Sequence, residues 1–253
     1  MSSITVASIA CAFIFGGALL GLLLGAFLPE HHLSGEGKDV VKLGAGLIAT
    51  LAALVLGLLV SSAYSSLDTM NSELTQSGTK LIVLDRVLAS YGPETKEVRD
   101  LLRGRVAAAI DLAWPEEKTR QAHVDNVEVA AGIERIQDKL RELTPRNDSQ
   151  RLLQAQAIKI VAELVQARWL LIEQTQGSLP KTFLIVLLFW LTMLFVSFGM
   201  LAPRNATVIA VLLVCALSVS GAIFLILEMN SPLTGMIKVS SAPLRNALDH
   251  LGK

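Results

Sequence analysis

Charge is scarce in this chain and neither sign is in excess. Of 253 residues, 17% are charged, and 22 basic side chains balance 22 acidic ones. This balance removes the basic surplus on which nucleic-acid binding depends. Aromatic residues make up 5%, too few to provide stacking platforms for bases or sugars. The two cysteines, Cys11 and Cys215, each lie inside an apolar run. They are too far apart for a CxxC metal or redox site and read as small buried hydrophobes. HExxH, GxSxG and the phosphate loop are all missing, so the sequence points to no enzyme and to no cofactor.

What is abundant is apolar: 52% of the residues are hydrophobic, more than an ordinary soluble domain carries. A bilayer core needs about 20 such residues per helix. Four segments qualify: Ile4 to Leu28, Leu43 to Ala63, Thr182 to Ala202 and Ala206 to Leu227. The first lacks a basic leader and its apolar run is too long for a cleaved signal peptide, so it is expected to be a retained helix. The expected fold is an all-α integral membrane protein with four transmembrane helices and a large helical insert between the second and third. The expected domains are 1–63 (two spans), 64–181 (a cytosolic helical domain), 182–228 (two spans) and 229–253 (a cytosolic tail).

An even number of spans puts both termini on one side together with the insert. Nineteen Lys and Arg lie on that side, against Lys38, Lys42 and Arg204 on the other. The positive-inside rule then places the termini and insert in the cytosol and the protein in the cell inner membrane.

The insert reads as helix throughout. Ser65 to Tyr91 has no proline and extends the second span until Gly92-Pro93 breaks it. Val98, Leu101, Leu102, Arg105, Val106, Ala109, Ile110 and Ala113 share one face of a helix that ends at Trp114-Pro115. Val129, Ile133, Ile136, Leu140 and Leu143 form a second seam, stopped by Pro145. A last helix runs from about Asp148 to Gln176, with Leu153, Ala157, Ile160, Leu164, Arg168 and Leu171 on one side. The mixed charges, such as Asp85 and Arg86 or Glu97 with Arg99 and Arg103, are expected to form solvated faces or helix-to-helix pairs.

No ionisable residue lies inside a span; Lys42 and Glu228 stand at span ends. Coupled pumps need intramembrane carboxylates, histidines or lysines, whereas a channel can gate by an apolar constriction. Glu30, His31 and His32 follow the first span, but adjacent histidines project in different directions, so no metal site is expected. Asn205-Ala206-Thr207 matches a glycosylation sequon and reads as a chance match in a tight turn.

The second span is rich in small residues. On a helical wheel Thr50, Leu54, Leu58 and Ser61 share one face, while Ala49, Ala53, Gly57 and the slightly offset Ala52 line an adjoining small face. Small faces let helices approach closely, and several copies of such a helix around an axis would leave the other face to line a pore.

Here the sequence resembles a known family. "LVLGLLV", Leu54 to Val60, is similar to the F-V-L-G-F-Y-V neck segment of bestrophins, and "EMNSPLTG" after the fourth span is similar to their E-x-x-x-N-P-F-G region. A largely bacterial group of bestrophin-like proteins has recurring segments similar to "LPEHHL", "GLIATLAALVLGLL", "LDRVLASYGPE", "APRNATV" and "SSAPLRNAL" here, and that resemblance covers nearly the whole chain. The resemblance implies a homo-pentamer in lipid that passes small ions, with Thr50, Leu54 and Leu58 facing the pore. Ser61, together with the hydroxyls of Ser62, Ser65 and Ser66, would wet its cytosolic widening. Leucines replace the aromatic neck residues of bestrophins. The acidic calcium-clasp run is missing, since Asp249 is the one carboxylate side chain from Met229 to Lys253, so calcium activation is not expected. The competing reading is a non-conducting membrane scaffold or sensor that uses its insert for protein interaction.

Overall fold

A computed structural model describes residues 2–27, 35–114, 127–176, 181–230 and 235–253. The described residues form helices and connecting turns, with no strand among them: α1 (Ser3–Phe27), α2 (Gly35–Tyr91), α3 (Lys96–Ala113), α4 (Val127–Glu142), α5 (Asp148–Gln176), α6 (Lys181–Leu201), α7 (Ala206–Met229) and α8 (Ala242–His250). Four of these, α1, α2, α6 and α7, are long and apolar enough to cross a membrane. At 57 residues α2 far exceeds what a bilayer needs, and Leu43 to Ala63 is its uncharged stretch. The chain divides into two units, one of residues 1–65 and 178–230 and one of 66–177 and 231–253.

In the first unit α1, α6, α7 and the start of α2 share an apolar core that includes Ile14, Ala18, Leu187, Phe195, Ala216 and Ile226. Lipid tails are as apolar as leucine, so burial in lipid alone does not hold helices together; close packing has to. Gly17, Gly21 and Gly25 recur every fourth residue on α1, and a Cβ on them would strike Thr192, the Val196 carbonyl and the Met200 carbonyl of α6 respectively. Gly199 of α6 meets the Ala18 carbonyl in the same way. The contacts advance in the same sense on both helices, so α1 and α6 run parallel, as the first and third of four alternating spans must. Asn205, within the sequon match, serves the fold: its Oδ1 accepts the Val208 backbone N–H at 2.8 Å and caps α7. Cys11 is half-buried, but Cys215 is exposed on the outer side of α7. The expectation of two buried thiols is therefore corrected, because Leu212 and Ala216 occupy the inward face of that helix.

In the second unit the remainder of α2 packs with α3, α4, α5 and α8. Leu84, Leu88, Leu102, Ile110, Leu140 and Val161 are among its buried residues. The α2–α3 break is closely built. Gly92 has φ 139°, a value that favours glycine. Buried Thr95 donates its hydroxyl towards the carbonyls of Leu88 (2.6 Å) and Gly92 (2.8 Å), and Gln150 Nε2 donates to the Tyr91 carbonyl at 2.9 Å. These contacts give part of the "LDRVLASYGPE" segment a structural reason. Asp85 pairs with Arg99 rather than Arg86, and Glu97 pairs with Lys139 rather than Arg99 or Arg103. Helix α8 lies within the stretch expected as a tail; Ala247 and Leu251, spaced by four, seat it in the core.

Candidate functional site: the outward face of α2

The second helix is the least covered of the four apolar ones. Only 17% of its most apolar stretch is buried, against 39% for α1, so α2 has the most apolar surface left over. Ala45, Ala52, Leu59 and Ala63 turn into the bundle, with Val55 and Leu56 beside them. The opposite face carries Thr50, Leu54, Leu58 and Ser61, all exposed, with Leu54 at 61% and Leu58 at 62%. Thr50 donates its hydroxyl to the Gly46 carbonyl at 2.8 Å, which satisfies the donor and leaves acceptor lone pairs outward.

The wheel puts Ala52 at the edge of the small-residue face. Within the chain Ala52 is covered, while Ala53 and Gly57 are exposed. A Cβ on Gly44, Gly46 or Gly57 would meet nothing within 4 Å. These three glycines therefore make no close approach inside the chain, in contrast to Gly17, Gly21 and Gly25 on α1. Among the described glycines of the first unit, close approaches to another helix are made on α1, where a spacing of four is the sequence signal, and at Gly199 of α6, and not on the small face of α2.

Glu228, at the end of α7, is buried. Glu30, His31 and His32 lie outside the described residues, and among the described residues no three His, Cys, Asp or Glu side chains gather as a metal site would require.

This arrangement is that of a helical integral membrane protein whose second span presents a leucine face outside its own bundle. The bestrophin-like domain profile matches residues 12–244. The chain belongs to the bestrophin-like family, which carries a channel-type membrane fold. Two crystal structures of a bacterial bestrophin homologue from Klebsiella pneumoniae, each carrying one mutation, are similar to it. One is 13% identical with a TM-score of 0.70 and covers 100% of this chain and 99% of its own. The other is 14% identical with a TM-score of 0.63 and covers 95% of this chain and 99% of its own. No curated protein matches the chain.

Proposed function

We propose that the chain is one subunit of a homo-pentameric channel for small ions, with α2 from each copy around the axis. Thr50, Leu54, Leu58 and Ser61 line an apolar neck. The carrying observation is the division of α2: one face is held by the chain's own bundle, and the other exposes Leu54 and Leu58 beside Gly57, where an added Cβ would meet nothing within 4 Å. Gly57 and Ala53 leave room for a neighbouring subunit to approach. A leucine ring excludes water when narrow and admits ions when it widens or wets. The protein sits in the inner membrane. Residues 64–181 and 229–253 face the cytosol, and both termini lie on that side. No catalytic step, cofactor or metal is part of this reading.

Two measurements test it. The detergent-corrected mass of the purified protein should be that of five chains, and reconstituted protein should pass a small inorganic ion in liposomes. A one-chain mass would overturn both the neck and the channel; an oligomer that passes no small ion would favour the scaffold reading.

A further inference from the structure

The core of the second unit is interrupted. One apolar cluster gathers around Leu84, Leu102 and Leu140 and another around Met70, Leu74 and Val239, with Trp114 and Leu244 packed against both. Beside them is a cavity of about 190 Å³, walled mainly by leucine, valine and isoleucine from α2, α3, α4, α5 and α8. Two arginines border it, Arg105 from α3 and Arg168 from α5. Each occupies a position on a helix face that is otherwise apolar.

Neither arginine lies there loosely. The Arg105 stem crosses α4 at Gly132, where a Cβ would come within 2.6 Å of its Cδ and 2.8 Å of its Nε. Glycine at 132 makes room for that side chain and fixes its path. Arg105 is half-buried and forms no ion pair among the described residues, whereas Arg99, Arg141, Arg146 and Arg151 each have a carboxylate partner. Arg168 stacks over Trp169, its guanidinium carbon 5.9 Å from the ring centre.

We propose that this cavity binds a small anionic amphiphile, namely a free monocarboxylate with a short alkyl chain. The chain would lie among Leu81, Leu102, Val106 and Leu164, and the carboxylate would meet Arg105. Apolar voids of about 150 Å³ take up benzene-sized molecules, and this cavity, about 190 Å³ and partly open, has room for one short chain. A guanidinium held at the edge of an apolar pocket recognises a carboxylate in two-point geometry, and it is worth more there than in open water. The inference does not depend on ion conduction.

The test uses the full chain in zwitterionic-lipid nanodiscs with Trp169→Phe and Trp190→Phe, which leave Trp114 as the reporter at the cavity wall. Titration with ω-bromooctanoate should quench Trp114 saturably, above the effect of partitioning into protein-free discs. Octanoate should compete, and octylamine should not. Arg105→Gln should weaken binding about tenfold or more, and Ala109→Phe, which fills the cavity, should abolish it. Both variants should keep wild-type helix content by circular dichroism. The proposal is overturned by an absence of saturable quenching, by octylamine competing equally, or by an unaltered affinity in folded Arg105→Gln.

Discussion

Arg99 of α3 clasps the carboxylate of Asp85 of α2 across the break between the two helices. Its Nε donates to Oδ1 at 2.7 Å and its Nη2 to Oδ2 at 2.8 Å. Asp85 is 1% exposed. Its Oδ2 also accepts the Gly252 backbone N–H at 3.2 Å, and Arg86 and Arg99 each donate to the Lys253 carbonyl at 3.3 Å. A single buried carboxylate thus ties α2, α3 and the segment after α8 together.

Burial by itself would raise the Asp85 pKa. The Arg99 hydrogen bonds, the Gly252 N–H and the charges of Arg99 and Arg86 outweigh it and hold the group below its ordinary value. The stability this contributes is full above the unfolded-state pKa of about 3.9 and is lost as pH falls through the lower, folded value. Asp85→Asn keeps the shape but strands Arg99 and should cost about 3 kcal/mol. In thermal unfolding followed by circular dichroism the variant should melt several degrees lower at neutral pH, and the gap to wild type should close in acid. Arg99→Lys should fall between them, because an ammonium cannot make the two-point contact. A gap that persists unchanged below the folded pKa would refute the assignment.

The glycines of α1 and α2 should behave in opposite ways. Gly21→Ala drives a methyl into the Val196 carbonyl of α6 and should lower thermal stability or prevent accumulation of folded protein. Gly57→Ala meets nothing within 4 Å and removes a flexible residue from a helix, worth about 1 kcal/mol. It should leave the subunit intact and act only on assembly. Native mass measurement of both variants, set beside their melting curves, separates the effects.

Sidedness can be tested on exposed, described positions. With Cys11 and Cys215 replaced by alanine, a cysteine at Arg204 in the α6–α7 turn should react with an impermeant thiol reagent added to intact cells, and one at Ser149 near the start of α5 should not. Labelling of Ser149→Cys from outside would reverse the topology argued from the basic residues.

The neck assignment predicts a difference between two faces of α2. Leu58→Ser adds a hydroxyl per subunit and removes apolar bulk, both of which favour wetting, so ion flux into liposomes should rise several-fold at matched oligomer content. Leu56 packs against the bundle, so a change there would disturb the subunit itself. Val60 is 39% exposed and lies two residues from Leu58, about 200° away around the helix, so Val60→Ser should leave flux near the wild-type level. Equal behaviour of the two variants would remove Leu58 from the neck.

Much of the fold was local and therefore legible in the sequence. Apolar length marked the four spans. Gly92-Pro93, Trp114-Pro115 and Pro145 marked where helices stop, because a residue that cannot continue a helix acts on its own few neighbours. The similarity of "LVLGLLV" and its companion segments to bestrophin-like proteins led to the family. Tertiary structure decided what depends on distant partners. It determined that Ala52 is covered by the chain's own bundle while Ala53 and Gly57 are left open, a matter of one residue's rotation, about 100° around the helix. It selected Arg99, fourteen positions along the chain, over the adjacent Arg86 as the partner of Asp85, since successive residues of a helix point in different directions. It also brought Arg105 and Arg168 to one cavity from separate helices. Periodicity shows that a face is apolar, but where two such faces meet, and what gap remains between them, follows only from how the helices pack.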